Sequence, residues 1–159
     1  MEGNEKFKRR AILLVEDDTC DSHIIKNMLQ RTGIGNPVFH ARDGVEALET
    51  LDKMMRDPSL VQPFLLLVDI YMPRMNGLQF LLRLRSDDHL RHHTAVVLTT
   101  SDWTHDKARA YSLHAAGYIQ KDRIHDLGQF VRRQCAVRIV SVNAVELFNA
   151  MSALPVPCS

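Results

Sequence analysis

Apolar residues in this chain fall into short runs, and each stronger run stops at a charged or hydroxyl residue. Arg10 to Val15 (RAILLV) leads into Glu16, Asp17 and Asp18, and Phe64 to Val68 (FLLLV) leads into Asp69. Ala95 to Leu98 (AVVL) leads into Thr99-Thr100-Ser101-Asp102. Two weaker runs, Val38 to His40 after Pro37 and Gly117 to Gln120 before Lys121, complete a set of five. Runs of this length, bounded by turn residues, predict strands buried on both faces. The segments between them have helical spacing. Cys20 to Arg31 places Ile24, Ile25, Met28 and Leu29 on one predicted face, with Gly33 as the stop. Asp43-Gly44 opens a second helix carrying Val45, Leu48, Leu51 and Met55, which Asp57-Pro58-Ser59 breaks. Leu78, Leu81, Leu82 and Leu84 form the expected stripe of a third, and polar Ser86 to His93 is loop. A fourth helix is expected from about Trp103 to His114. Ile124, Leu127, Val131, Cys135, Ile139 and Val142 outline a fifth, weakened by Gly128, and Leu154 to Pro157 is too proline-rich to be helical.

Strand and helix alternate five times with short connections, which predicts an α/β domain: a parallel sheet with helices on both faces. Right-handed crossovers then leave few topologies. In such a sheet the carboxyl ends of the strands share one edge, where ligands bind. Glu16, Asp17, Asp69, Thr99 and Lys121 all stand at predicted strand ends. Singly, each has an ordinary explanation, since acids are common where helices start and hydroxyls are common in turns. Their convergence on one edge points to chemistry. Behind Asp69, Pro73 cannot extend the strand and Asn76-Gly77 supplies turn chemistry.

Composition narrows the class. A chain of 159 residues fits one domain, and 20 Lys+Arg against 19 Asp+Glu lacks the basic excess of a nucleic-acid surface. AILLV and FLLLV are too short to cross a bilayer, and the basic MEGNEKFKRR lead has no signal-peptide core behind it. Cys20, Cys135 and Cys158 are scattered and odd in number, which fits a reduced, cytoplasmic setting better than a disulfide framework.

Three carboxylates at one edge repel one another and call for a cation. An all-oxygen set of this kind suits Mg²⁺. With the metal in place a carboxylate can act as nucleophile toward a phosphoryl group. Phosphoryl transfer then needs mainly positioning and charge neutralisation, for which Lys121 and the Thr99 hydroxyl are the available partners. Other signals are weaker. Gly33-Ile34-Gly35 follows a helix and so is no phosphate cradle. His89, His92 and His93 are expected in a solvated loop, and Trp103 and Tyr111 in the core or an interface. A phosphatase of the haloacid-dehalogenase type needs a second acid two residues after its nucleophile, where Tyr71 stands.

ILLVEDD, ARDGVEALETL, LLLVDIYMPRMNG, VVLTTSD and GYIQK, in this order, resemble the receiver domain of two-component response regulators. The resemblance covers about Arg10 to Arg133. It implies a flavodoxin-like (βα)5 fold with strand order 2-1-3-4-5. Asp69 then matches the phosphoacceptor, Glu16 and Asp17 the acidic pair that holds Mg²⁺, and the Tyr71 carbonyl a further metal ligand. Thr99 matches the switch hydroxyl, Lys121 the phosphate-binding lysine, and Tyr118 the aromatic that follows Thr99. The long segment before Phe64, LTTSD and the extended C-terminus are most similar to stand-alone regulators paired with bacterial phytochrome histidine kinases. Such a regulator is a signalling phosphoacceptor, not a dedicated enzyme.

The resemblance fails at one position. The family's lysine normally precedes a proline through a cis bond, whereas Asp122 follows Lys121. A non-proline cis bond costs roughly 2.5–4 kcal/mol, so a trans bond is expected here. Asp122 also supports a rival reading, a partly degenerate receiver acting as an interaction or dimerisation module without phosphate. The expected organisation is an N-terminal lead (1–9), a receiver (10–133) and a C-terminal extension with tail (134–159). The extension is too short and insufficiently basic for a DNA-binding module, so output is expected through protein contacts. Apolar residues from Val137 to Phe148 exceed what a receiver core needs and point to a homodimer through the C-terminal face, the alternative being a C-terminal helix packed on its own sheet.

Overall fold

The computed structural model describes residues 9–100 and 104–135. Strands β1 (Arg10–Val15), β2 (Val38–Ala41), β3 (Val61–Asp69), β4 (Thr94–Thr99) and β5 (Gly117–Gln120) form one parallel sheet in the order β2-β1-β3-β4-β5. Helices α1 (Thr19–Arg31), α2 (Gly44–Met55), α3 (Gly77–Ser86), α4 (Thr104–Ser112) and α5 (Ile124–Cys135) alternate with them, and a 3₁₀ turn at Lys121–Arg123 precedes α5. This is the flavodoxin-like (βα)5 arrangement. Helices cover both faces of β1 and β3, which explains why they read as unbroken aliphatic runs.

Alternation along those runs divides the core into two layers. Leu13, Val15, Leu66, Val68 and Val97 face Ala47, Leu51, Met54, Phe80, Leu81 and Ala110 of α2, α3 and α4. Ile12, Leu14, Leu65, Leu67, Val96 and Leu98 face Ile25 and Leu29 of α1 with Leu127 and Val131 of α5. Each of these larger side chains is almost fully buried, stabilising the fold by about 1.5–3 kcal/mol relative to exposure.

Several helical positions differ from expectation. Ile24 is 53% exposed and Leu82 48% exposed, although both were expected in buried stripes. In α1 the sheet-facing line is Ser22, Ile25 and Leu29, and Ile24 lies about 100° around the axis from Ile25. In α3 the buried residues are Gly77, Phe80, Leu81 and Leu84, so Phe80 takes the place assigned to Leu82. Met54 is buried and Met55 only partly so. Tyr111 is 46% exposed and is not a core residue. β3 starts at Val61, earlier than Phe64, and α4 occupies Thr104–Ser112. Trp103, Ile139, Val142 and the rest of the C-terminal extension lie outside the described residues. No helix among the described residues is long and apolar enough to cross a membrane.

His93 is the clearest departure from its expected solvated loop, being 1% exposed. Its ring stacks on Phe64 with centroids 4.8 Å apart, and its Nδ1 accepts the Phe64 N–H at 3.0 Å. Burial, with the neighbouring charges of His92, Arg10 and Arg85, depresses its pKa from 6.5 to about 4. A base with a depressed folded-state pKa contributes stability above its unfolded pKa and loses it as pH falls through the folded one. His93 is therefore expected to remove up to about 3 kcal/mol as pH drops from 6.5 toward 4. Denaturant melts of the wild type and His93→Gln across that window check this; equal slopes would refute it.

Candidate functional site

Four segments meet at the carboxyl edge of the sheet. β1 runs straight into Glu16, whose backbone N–H still bonds the Ala41 carbonyl at 2.9 Å, so the acid is held in the sheet's line and is fully buried. Asp17 follows on the surface, and Asp18 caps α1 by accepting the Asp21 N–H at 2.8 Å. Asp69 ends β3, paired in register with Leu98 of β4, and is 5% exposed. One oxygen from each of Glu16, Asp17 and Asp69 lies within 4.8 Å of the others. Thr99 ends β4 fully buried, one register step beyond the partner of Asp69.

Lys121 crosses from the end of β5 into this group. Its Nζ lies 2.6 Å from Glu16 Oε2, 2.7 Å from Asp21 Oδ2 and 3.5 Å from Asp69 Oδ1. The Lys121–Asp122 bond is trans, as expected, and the amine reaches the acids all the same. Tyr118 is half-buried on the α2–α3–α4 side of the sheet, in register with Val97. The Tyr71 hydroxyl donates to Asp106 Oδ2 of α4 at 2.7 Å, tying the loop after Asp69 to the fourth helix.

The electrostatics follow from crowding. Burial and the neighbouring charge of Glu16 push the Asp69 carboxyl up to about 7, against the partial relief that Lys121 supplies. Burial likewise raises Glu16, with Lys121 again opposing. Burial alone would lower Lys121, but its bonds to Asp21 and Glu16 and the charge of Asp69 hold it above the ordinary lysine range. One amine does not neutralise three clustered carboxylates. A divalent cation with oxygen preferences would satisfy the donor set, so these residues fit Mg²⁺.

The loop after Asp69 is braced from the side. Arg74 adopts a left-handed φ of 61° and holds Asp43 through Nε at 2.7 Å and Nη2 at 2.6 Å. Asp43 also caps α2 by accepting the Val45 and Glu46 N–H groups. Its burial would raise its pKa, but those N–H donors and Arg74 outweigh that and hold it low. The Gly44 N–H donates to the Met75 carbonyl at 3.0 Å, closing the brace. Asp21 and Arg74 escaped the sequence reading, which placed Asp43 only at a helix start, because the contacts Asp21–Lys121 and Arg74–Asp43 join residues distant in the chain. The only available signal was the excess of acids at the two helix starts.

The profile of the response regulator receiver domain matches residues 12–132. The chain belongs to the response regulator receiver family. The receiver is 32% identical over 131 residues to response regulator Rcp1 of Synechocystis, covering 82% of this chain and 89% of that one. It superposes on the phosphorylated cyanobacterial phytochrome response regulator RcpA with a TM-score of 0.69 at 27% identity, over 81% of this chain and 95% of that one. Against the Mn²⁺-bound form of Rcp1 the TM-score is 0.64 at 28% identity, over 94% and 99% of the two chains.

Proposed function

We propose that this receiver takes a phosphoryl group from a histidine kinase onto Asp69 and signals through altered protein contacts. The observation that carries the reading is the clustering of Glu16, Asp17 and Asp69 beside the Lys121 amine. Asp69 supplies the nucleophilic oxygen. Its lone pair forms the new O–P bond while the bond from phosphorus to the donor breaks, and the leaving group departs with that electron pair. The product is an aspartyl phosphate, which water returns to the carboxylate and inorganic phosphate.

Glu16, Asp17, Asp69 and the Tyr71 carbonyl would hold Mg²⁺, which when bound would neutralise charge on the transferring group. Lys121 offers its ammonium to a phosphoryl oxygen and Thr99 its hydroxyl to another. The new charge, about −1.5 to −2, would draw Thr99 inward and shift Tyr118 with it. The α4–β5–α5 surface changes accordingly, and Tyr71 links the same loop directly to α4 through Asp106.

Two similar solved structures, described as a cyanobacterial phytochrome response regulator and a bacteriophytochrome response regulator, support a phytochrome-type kinase as the donor. Residues 10–133 form the receiver in this reading. The extension 134–159 supplies a homodimer contact through Val137 to Phe148, and sedimentation of the full chain and of a chain ending at Cys135 tests that contact. The decisive experiment for the main reading is incubation with acetyl phosphate. The chain is expected to gain the mass of one phosphoryl group with Mg²⁺ present and none after chelation. No gain under either condition would leave an interaction module.

A further inference from the structure

Asp21 has no place in the family pattern quoted above, yet its carboxylate lies 2.7 Å from the lysine 100 residues away in sequence. It is the third residue of α1, after the Asp18 cap. A carboxylate at that position commonly turns back to the backbone N–H of the cap residue. Here the Asp18 N–H donates to Glu16 Oε1 at 3.2 Å, so the Asp21 side chain is directed across the cleft to Lys121. Asp21 also stands apart from the acids gathered for a cation, which are Glu16, Asp17 and Asp69.

We infer that Asp21 is a positioning residue that aims Lys121 at the phosphoacceptor, in place of the proline missing after the lysine. β5 ends at Gln120, and Lys121 opens a 3₁₀ turn through a trans bond to Asp122. Backbone geometry alone leaves the long lysine stem its rotamer freedom. An ammonium has three donors. The bond to Asp21 uses one of them, Glu16 Oε2 is an ion-pair contact at 2.6 Å, and Asp69 Oδ1 lies 3.5 Å away. A phosphoryl oxygen on Asp69 would close that gap without the amine leaving Asp21. When a cation draws on Glu16, Asp21 remains the partner that keeps the amine in place.

The inference rests on the phosphoacceptor reading for its purpose but not for its geometry, and two measurements separate them. The first needs no phosphate. In ¹⁵N-lysine-labelled full chain, the Lys121 ammonium is expected to give an exchange-protected NMR signal that Asp21→Asn loses and Asp21→Glu keeps. A signal undisturbed in Asp21→Asn would overturn the inference. The second is beryllofluoride binding at saturating Mg²⁺, where Asp21→Asn is expected to weaken affinity about ten-fold. Asp21→Glu should recover most of it, and Asp21→Asn should add nothing once Lys121 is methionine. Affinity within about two-fold of wild type, or the same loss in the Lys121→Met background, would also overturn it. If the wild type binds no beryllofluoride, the phosphoacceptor reading falls, and Asp21 is judged by the ammonium signal alone.

Discussion

Asp69→Asn is expected to abolish phosphoryl uptake from acetyl phosphate while stabilising the metal-free protein at neutral pH. The loss is chemical, because an amide oxygen does not form the acyl phosphate, so no phosphoryl group is delivered to Thr99 and Lys121. The gain is electrostatic. Asp69 sits 5% exposed beside Glu16, and its carboxyl is pushed from 3.8 to about 7. A carboxyl whose folded-state pKa lies above the unfolded one contributes stability below pH 3.8 and loses it as pH rises through about 7. The integrated effect is on the order of 2–4 kcal/mol, part of it offset in the variant because the asparagine amide must find partners. Thermal melts at pH 5 and pH 8 should show the variant's advantage growing toward pH 8 and shrinking when Mg²⁺ is added to the wild type. His93 gives the opposite slope over much of this window, so the difference between variant and wild type is the quantity to read. An advantage independent of pH, or retained phosphoryl uptake, would contradict the assignment.

Gly77→Ala is expected to destabilise the fold by about 3 kcal/mol or more and to disturb the site with it. Two effects compete. Alanine in a helix gains roughly 0.5–1 kcal/mol over glycine. Against that, a Cβ at this position would lie 2.1 Å from the Asp69 carbonyl oxygen and 2.9 Å from Ile70 Cα. Both are backbone atoms in the continuation of a central strand, so no side chain can swing aside. The Gly77 N–H also donates to the Ile70 carbonyl at 2.8 Å, which fixes the close approach. The clash dominates. Denaturant unfolding measures the stability, and beryllofluoride affinity reads the displaced Asp69 backbone. Wild-type values for both would show that the helix start can shift at little cost.

Much of this arrangement is legible one residue at a time. A strand buried on both faces must be apolar throughout, so RAILLV and FLLLV disclosed the sheet's centre, and the first charged residue after each marked its carboxyl edge. Helix rotation was less legible. Leu82 and Phe80 are both apolar, and only the angle at which α3 meets β3 and β4 buries one and exposes the other. His93 misled for a related reason. Its loop is polar, but its ring fills a place beside Phe64 that exists only once β3 and β4 are paired.

The alternation of strands and helices, the strand-end position of each candidate site residue and the departure from the family at Asp122 are all written in the linear chain. Those properties depend on local composition and periodicity, which a linear reading contains. Only the closed fold settles which acids share a cation-sized space, that Lys121 contacts Glu16 and Asp21 more closely than Asp69, and that Arg74 braces the loop after Asp69 through Asp43. Electrostatic and steric energies depend on separations of a few ångströms, and residues 100 positions apart acquire such separations only when the sheet closes.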